Sequence, residues 1–511
     1  MKKNILVVLS FISIISTVFS QELKFKVKDV QDSTVYLIKY IGSQKYYADT
    51  AELENGTVIF DGSKQEQGVM GLLLPDRNYF EFLHAGEPVY IETKAPNCPN
   101  NVIIKKSEEN KVFYEYINFM KENTKKGRQL QKELAGLGND NADRKKEIRE
   151  ELSGMGGTIK AFQQGIVDKH PGKLAAKIVK MSMDIEVPEA PRNEDGSLVD
   201  SNFNYHYFRD HYFENIDLKD SRLANTPVIQ NKLEYYYSSK MLYQHPDTLI
   251  KYLTPVLEQI EEGSRMYQFV VGNVITHFEK SKIMGLDKVT NYLIARYLCS
   301  RDSEGNPKGF WMKKEKLEEL CENTQKRLRL VQGVTPPNII LPDSTNQKWY
   351  NLYELESDYT ILYFWDPNCG HCKKVTPKYQ TLYEKKLKDR NVEIFAVANA
   401  VGEDFNDWKA FIKKHKLGFI NVGLTQEIYE IASKDPSALI PSKTTAESIN
   451  YQSTYDIFST PRVWILDKDK KIVAKSLSVA QVELFLDKAQ GKEESEKLFE
   501  VEEDKAEDKD H

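Results

Sequence analysis

The sequence predicts a multidomain protein: a small antiparallel β domain, then a central all-α region, then a C-terminal α/β domain. The 511 residues exceed what a single hydrophobic core serves. Apolar residues alternate at every second position near the N-terminus, and they recur every three or four positions through the middle of the chain. Strand-like and helix-like segments then alternate towards the C-terminus, which is typical of α/β domains.

The first 20 residues have the features of an export signal. Two lysines precede an apolar run over Ile5–Phe19, which is shorter than the roughly 20 residues that a transmembrane helix needs. Small residues before Gln21 fit the site that a signal peptidase reads, so we expect cleavage there. An uncleaved membrane anchor is the alternative. The segment predicts an exported protein of the periplasm or cell envelope, with residues 1–20 as its signal peptide.

Charge and cysteine content narrow the class of protein further. The formal net charge of −5 gives the whole molecule no attraction to nucleic acid, so no nucleic-acid partner is predicted. Five cysteines are too few for a disulfide scaffold in a chain of this length. Cys299 and Cys321 fall in helix-like segments, where they are either buried small side chains or a bridged pair. Cys98 lies in a loop before a proline, and the sequence assigns it no role.

Residues 21–104 are predicted to form the β domain. Four segments alternate apolar and polar residues, and glycines between or beside them indicate turns. These segments are Leu23–Lys28, Thr34–Tyr40, Thr57–Phe60 and Val89–Glu92.

Residues 105–334 are predicted to form the helical domain, because their apolar residues follow a spacing of three and four. One stretch places opposite charges three or four positions apart, which is typical of a solvent-exposed helix. Two helices are expected near Val112 and Leu174. Later helices are expected at Tyr205–Glu214, Pro227–Tyr243, Pro246–Glu262, Met266–Lys282 and Asp287–Cys299.

Residues 335–490 are predicted to form the α/β domain, and residues 491–511 an acidic disordered tail. The domain's order is strand, helix, strand, helix, a two-stranded hairpin and a final helix. From Lys492 onwards there are ten acidic residues against four lysines, which favours a solvated end. The predicted strands are Tyr359–Trp365, Asn391–Ala398, Arg462–Leu466 and Lys471–Lys475.

Two cysteines three positions apart follow the first of these strands, in the segment Cys369-Gly-His-Cys372. At the start of a helix this spacing brings both thiols to one face, close enough to form a disulfide. The free N–H groups and dipole of the helix N-terminus favour the thiolate, so we expect a lowered pKa for Cys369. The chain has no second Cys-x-x-Cys or Cys/His ligand pair, so neither a metal site nor a cofactor is predicted. The pattern indicates a dithiol that exchanges disulfides.

In this region the chain resembles the thioredoxin superfamily. The aromatic strand that leads into Cys369 and Cys372, Pro377 five residues later, and Thr460-Pro461 before a strand match that family's motifs in order. The whole chain is most similar to exported TlpA-like disulfide reductases of Bacteroidetes type, which carry a β domain and a helical domain of unknown function before the thioredoxin module. The resemblance implies a thioredoxin fold, with Cys369 as the nucleophile and Cys372 as the resolving thiol.

The same resemblance implies roles for the neighbouring residues. Pro461 is expected to be cis and to present the preceding backbone to a bound substrate strand, with Thr460 beside the sulfurs. Gly370 and His371 form the dipeptide of protein disulfide isomerases rather than the Gly-Pro of thioredoxin. A protonated imidazole beside the thiolate stabilises the reduced form, so we expect a less reducing potential. Isomerase and thioredoxin potentials differ by about 90 mV, or about 4 kcal/mol for two electrons.

Three positions depart from the family pattern. Tyr363 stands where thioredoxin has a buried acid, Asn368 where a tryptophan is usual, and Val375 where many TlpA-like reductases have a glutamate. No general base for the buried thiol is therefore visible in the sequence. Trp365 is expected to pack beneath the active-site turn, and Pro377 to kink the active-site helix as in that family.

The leading interpretation is an exported thiol–disulfide oxidoreductase that acts on protein substrates carrying disulfides or thiols. The resemblance favours a reductase, whereas the Gly-His pair and the absent acids favour an isomerase-like role, so the direction stays open. An upstream thiol electron donor is implied, with a membrane-borne donor as one option, and no oligomeric state is predicted. The alternative is a cell-envelope binding or scaffold protein whose thioredoxin-like module has little redox activity. A reactive Cys369 favours the enzyme, and an inert buried disulfide favours the scaffold.

Overall fold

A computed structural model describes residues 21–138, 140–402 and 404–500, so the predicted signal peptide lies outside the described residues. Internal contacts divide the chain into two compact units. The first contains the chain up to Tyr243 together with Tyr252–Asn273, and the second contains Gln244–Lys251 and the chain from Val274 onwards. None of the helices in the described ranges is long and apolar enough to cross a membrane.

The first unit begins with a β domain made of two four-stranded sheets. Its strands are β1 (Glu22–Lys28), β2 (Thr34–Ile41), β3 (Gln44–Glu52), β4 (Thr57–Asp61), β5 (Gly68–Leu73), β6 (Tyr79–His84), β7 (Val89–Lys94) and β8 (Ile103–Lys106). The strand orders are β4-β1-β7-β8 and β3-β2-β5-β6. Strands β1 and β7 are parallel, and the other pairs are antiparallel. Apolar side chains from both sheets share one core.

The predicted β domain is thus confirmed, with two sheets instead of one and with a parallel pair. Strands β3, β5, β6 and β8 were not predicted. In β5, five of the six side-chain positions are buried, so the segment lacks the alternation that marks a half-buried strand. Its Gly71 is required by packing, because a Cβ there would collide with the ring of Tyr79 on β6.

The central all-α region is confirmed as well. In the first unit it contains α1 (Glu108–Gly136), α2 (Ala142–Lys169), α3 (Leu174–Ser182), α4 (Phe203–Asp210) and α5 (Pro227–Tyr237). Further along the chain come α6 (Pro246–Leu257), α7 (Arg265–Glu279), α8 (Asp287–Ile294) and α9 (Lys314–Leu328). The charged stretch forms the paired helices α1 and α2, where Phe119 stacks on Phe162 with ring centroids 3.7 Å apart. Several helices end a few residues earlier than expected.

The structure decides between the alternatives for two of the remaining cysteines. Cys299 and Cys321 form a disulfide in the second unit, which links the π turn Ala295–Cys299 after α8 to α9. Cys98 is a fully buried free thiol in the β domain. Burial raises the pKa of the Cys98 thiol above its ordinary value, which disfavours the reactive thiolate.

The α/β domain of the second unit is built on a five-stranded mixed sheet. Its strands are β11 (Tyr359–Trp365), β12 (Val392–Ala400), β13 (Ile420–Thr425), β14 (Arg462–Asp467) and β15 (Ile472–Lys475), after a hairpin of β9 (Ile340–Pro342) and β10 (Trp349–Asn351). The sheet order is β13-β12-β11-β14-β15. The strands β11, β12 and β13 are parallel, whereas β14 and β15 run antiparallel to their neighbours.

Helices and two apolar cores cover both faces of this sheet. The helices are α10 (Gly370–Leu382), α11 (Asp404–His415), α12 (Gln426–Lys434), α13 (Ala446–Ile449), α14 (Tyr451–Thr454) and α15 (Val479–Ala489). Successive side chains of β11 enter opposite cores, with Tyr363 in one and Phe364 in the other. The predicted α/β architecture is confirmed, and β13 is an additional strand. Its Gly423 leaves room for the ring of Trp408 on α11.

Residues 492–500 differ from the predicted disordered tail. Leu498 and Phe499 pack against the core that contains the second cysteine of the motif. Their backbone N–H groups donate to the carboxylate of Glu483 on α15 at 2.9 and 3.1 Å. Lys497 pairs with Asp487 of the same helix at 2.7 Å. The acidic composition of this segment gives no indication that its apolar pair and its lysine contact buried carboxylates. The tail from residue 501 lies outside the described residues.

Candidate active site

The active-site helix α10 begins at the dithiol itself. Cys369 is its N-cap, with extended backbone, and Gly370 is the first helical residue. The turn that leads from β11 is closed by a hydrogen bond of 3.2 Å from the Cys369 N–H to the Asp366 carbonyl oxygen. The Asn368 N–H donates to the Asp366 carboxylate at 2.6 Å. These bonds place the Cys369 sulfur at a helix N-terminus, where N–H groups are free to stabilise negative charge.

Cys369 is the more acidic thiol of the pair. Partial burial acts to raise its pKa, but hydrogen bonds from the backbone N–H and the thiol of Cys372 outweigh this effect. The Thr460 hydroxyl and the backbone N–H of His371 act in the same lowering direction. The net result is a pKa of Cys369 below its ordinary value, so the accessible thiol is the one that forms a nucleophilic thiolate.

Cys372 is fully buried one helical turn further on. Burial raises the pKa of Cys372 to about 11, against the lowering influence of the Asp366 backbone N–H and the Thr460 hydroxyl. The protonated Cys372 therefore donates a hydrogen bond to the Cys369 sulfur. A partly exposed acidic thiol in front of a buried protonated thiol is the arrangement that two-step disulfide exchange needs.

The loop before β14 covers one side of the pair. The Thr460–Pro461 peptide bond is cis. The Cys369 thiol lies 3.4 Å from the Thr460 carbonyl oxygen and donates to it. The structure thus brings Thr460 and Pro461, from a distant part of the sequence, against the nucleophile.

The buried side of the dithiol contains hydroxyls where the resemblance places an acid. The Tyr363 hydroxyl pairs with that of Thr376 at 2.8 Å, and both side chains are fully buried. Burial raises the pKa of Tyr363 well above its ordinary value, so its phenol stays neutral. Trp365 is also buried and packs against Phe411, with ring centroids 5.1 Å apart. This side of the site supplies packing and no base.

The two residues between the cysteines are exposed, whereas Val375 and Pro377 lie further along α10. Gly370 and His371 lie on the solvent side of the pair. A Cβ at Gly370 would meet nothing within 4 Å, so packing does not require glycine there. Pro377 lies inside α10, next to the buried Thr376. Val375 packs partly against the core that contains Cys372.

In the described ranges, no group of three or more His, Cys, Asp or Glu side chains is arranged to hold a metal ion.

Sequence reasoning missed the contacts that hold the residue before the nucleophile. The Asn368 side-chain amide donates to Asp404 at 2.7 Å and to Asp407 at 2.9 Å, both on the first turn of α11. Asp404 also accepts from the Asn399 amide at 3.0 Å. Aspartates at a helix start are usual, so the sequence contained no signal that they face the active-site turn.

Comparison with known proteins agrees with this geometry. Residues 357–472 match a family model described as thioredoxin-like. The C-terminal domain is a thioredoxin-like domain. The regions before it match two models described as domains of unknown function: residues 143–326 match DUF5106, and residues 22–113 match DUF4369. The predicted resemblance to the thioredoxin superfamily is therefore confirmed for this domain. No curated protein matches the chain significantly.

Solved structures of Bacteroidetes proteins are among those similar to this chain. A domain of a possible thiol-disulfide isomerase from Cytophaga hutchinsonii is 29% identical with a TM-score of 0.25, and covers 32% of this chain and 94% of its own. The thioredoxin domain of a thiol-disulfide oxidoreductase from Bacteroides vulgatus is 23% identical with a TM-score of 0.25, covering 31% and 97%. A thioredoxin-like protein from Bacteroides caccae is 14% identical with a TM-score of 0.38, covering 59% and 98%.

Proposed function

We propose that the protein is an exported thiol–disulfide oxidoreductase that exchanges disulfides with protein substrates through Cys369 and Cys372. The observation that carries the proposal is the asymmetry of the pair. Cys369 is accessible, lies at the N-terminus of α10 and has a lowered pKa, whereas Cys372 is buried behind it and stays protonated. A structural disulfide or an inert buried pair needs no such difference.

The reduction of a substrate disulfide proceeds in two steps. The Cys369 thiolate attacks one substrate sulfur, which forms a mixed disulfide and releases the other substrate sulfur as a thiolate. Cys372 then loses its proton to solvent and attacks the Cys369 sulfur, which releases the second substrate thiol and leaves a Cys369–Cys372 disulfide. Two electrons move from the dithiol to the substrate, and the same steps in reverse oxidise a substrate dithiol.

Two features favour an isomerase-like poise over strong reduction. His371 lies exposed between the two cysteines, in the dipeptide that the resemblance links to a less reducing potential. The buried side holds the Tyr363 and Thr376 hydroxyls instead of a carboxylate, so Cys372 is slow to ionise and a mixed disulfide is long-lived. A long-lived mixed disulfide gives a substrate time to rearrange its own disulfides.

The partners follow from this chemistry and from the predicted export signal. Protein disulfides or thiols in the periplasm or cell envelope are the proposed substrates. A dithiol that works as a reductant needs re-reduction by an upstream thiol donor, which in an exported setting receives its electrons across the membrane. An isomerase that leaves its dithiol unchanged after each cycle needs such a donor only to repair oxidation.

Trapping of the mixed disulfide tests the proposal on the chain from Gln21 to the C-terminus. A Cys372→Ser variant is incubated with a peptide that carries one disulfide, and adducts are read by intact mass. We expect a covalent adduct on Cys369 in this variant and none in Cys369→Ser, which keeps the same number of cysteines. The absence of any adduct with Cys372→Ser, or equal adducts in both variants, would overturn the proposal and favour the scaffold alternative.

A further inference from the structure

The residue before the nucleophile makes a network that the exchange chemistry alone does not explain. Asn368 is exposed, yet each of its two side-chain N–H donors is directed at a carboxylate, Asp404 at 2.7 Å and Asp407 at 2.9 Å. A primary amide has two such donors, so both are used. Hydrogen bonds to a charged acceptor are stronger than neutral ones. The network therefore ties the active-site turn to the start of α11.

Hydrogen bonds connect the start of α11 to β12 and to the active-site turn. Asp404 also accepts from Asn399, near the end of β12, at 3.0 Å. The Asn368 backbone N–H donates to Asp366, whose carbonyl oxygen accepts from Cys369. The backbone N–H of Asp366 in turn acts to lower the pKa of Cys372. Movement of the turn would therefore change the surroundings of both sulfurs.

We propose that Asn368 is a positioning residue that holds the Cys369 sulfur at the N-terminus of α10 by bonding its turn to Asp404 and Asp407. This inference rests on the proposed function, because it concerns the reactivity of the same dithiol. The N–H groups of His371 and Cys372 stabilise a thiolate only while the turn keeps the Cys369 sulfur within their reach.

The charge of the network sets the choice of residue. The neutral Asn368 amide donates one hydrogen bond to each carboxylate and changes the charge of neither. An aspartate at this position would add a third negative charge and lose both donors, although it has almost the same shape. An aliphatic side chain would lose the donors without adding charge. The two substitutions therefore separate the loss of the bonds from the addition of charge.

Several titratable or charged groups surround the nucleophile and enter any pH measurement. They come from the turn and from α10, α11 and β11: Asp366, His371, Cys372, Asp404, Asp407 and Tyr363. At the start of β14, Arg462 donates to Ser459, next to Thr460. Loss of the network frees Asp404 and Asp407 from the amide while they keep their charge, and loosens the N–H contacts of the thiolate. Both effects destabilise the thiolate, so both raise the pKa of Cys369.

The test measures the pH dependence of Cys369 alkylation in the reduced chain from Gln21, with the modified peptide identified by mass. We expect Asn368→Leu to lower the rate about three- to tenfold at pH values below the wild-type pKa, as a rise of half to one pKa unit requires, and Asn368→Asp to lower it further. Asn406→Leu, an exposed asparagine on α11 outside the network, is the matched control. It is expected to leave the profile unchanged.

A double-mutant comparison shows whether Asn368 acts through its two partners. In an Asp404→Ala/Asp407→Ala background, Asn368→Leu is expected to produce little further change, because the bonds are already absent. An unchanged profile in Asn368→Leu, or an equal shift in both backgrounds, would overturn the inference. Exchange of the wild-type pair with glutathione is measured separately. If that exchange is absent, the proposed function fails; if it occurs without a shift in Asn368→Leu, only the positioning role fails.

Discussion

Tyr363 and Thr376 share a hydrogen bond of 2.8 Å between their hydroxyls beneath the dithiol. Both side chains are fully buried, and Tyr363 packs against Tyr379 with ring centroids 4.7 Å apart. The two hydroxyls satisfy each other, and neither is a base at neutral pH because burial raises the pKa of Tyr363 further. The side chains beneath Cys372 are therefore neutral hydroxyls that are hydrogen-bonded to each other.

The first prediction concerns the pH dependence of the resolving step. Only the thiolate of Cys372 attacks, and burial raises its pKa to about 11. Burial also disfavours the Cys372 thiolate in a mixed disulfide on Cys369, so the decay of that mixed disulfide is expected to accelerate with rising pH, by about tenfold per pH unit while the thiol is mostly protonated. Release of a coloured aromatic thiol from Cys369 in a rapid-mixing experiment measures this rate. Tyr363→Phe should keep the same slope, whereas a plateau at neutral pH would reveal a base for Cys372 other than the described Tyr363 and Thr376 hydroxyls.

A second prediction concerns the residue between the cysteines. His371→Pro converts the dipeptide to that of thioredoxin and removes the imidazole beside the thiolate. The reduction potential is expected to become more negative by tens of millivolts, up to the roughly 90 mV that separates isomerase from thioredoxin. Equilibration with glutathione buffers measures the shift. Lys373→Ala, at the next exposed position of α10, is the control, and an equal shift in both variants would remove the specific role of His371.

The third prediction concerns the docked C-terminal segment. Deletion of residues 492–511 removes Lys497 and the N–H donors of Leu498 and Phe499, which leaves Glu483 and Asp487 buried with fewer partners. We expect the free energy of unfolding to fall by about 2–4 kcal/mol. Denaturant unfolding measures it.

Deletion of residues 501–511 alone is the control for that truncation. This shorter deletion keeps residues 492–500, so the unfolding midpoint of the variant should match that of the chain that ends at residue 511. Equal stability of both truncations would show that the contacts at Glu483 contribute nothing.

The disulfide of the second unit yields a fourth prediction. Cys299 and Cys321 are 22 positions apart, and closing a loop of that length stabilises a fold by about 3 kcal/mol in the chain-entropy model. The Cys299→Ser/Cys321→Ser variant is expected to lose about that much stability while the exchange activity at Cys369 stays unchanged. Parallel denaturation and trapping assays measure both. A loss of exchange without a loss of stability would assign this disulfide to the redox chemistry.

A fifth prediction concerns the fully buried His84 at the end of β6. Burial lowers its pKa below the ordinary value, and the nearby backbone of Gly62 and Gln65 offsets only part of that effect. The unfolded chain therefore takes up this proton first, so stability falls as the pH drops below about 6.5. Unfolding between pH 5 and 8 measures the slope. His84→Leu should flatten it, and an unchanged slope would locate the pH dependence elsewhere.

The parts of the fold that could be predicted are those written in local patterns. The strand that enters the dithiol, the helix that starts at Cys369 and the loop at Pro461 each have a short signature. The strand β5 was not predicted because nearly all of its side-chain positions are buried, which removes the alternation of apolar and polar residues. The strand β13 does alternate, but over six positions only and with Gly423 inside it, and glycine is unfavourable in strands.

Contacts between distant segments account for the rest of what was missed. Asn368 meets Asp404 across 36 positions, and Leu498 meets Glu483 through a backbone donor that no sequence pattern reveals. Asn368, Asp404 and Glu483 are polar residues of types that usually lie at the surface. Only the packing of α11 and α15 against the sheet brings their partners into reach.

The most direct test of the central claim is the redox equilibrium of Cys369 and Cys372 in the chain from Gln21. Samples are equilibrated in glutathione buffers of graded ratio, and the reduced fraction is read by alkylation of the two cysteines. We predict a reversible two-electron transition nearer the roughly −180 mV of disulfide isomerases than the roughly −270 mV of thioredoxin. A value at or below that of thioredoxin would contradict the proposed poise. A pair that never exchanges with the buffer would contradict the enzyme itself.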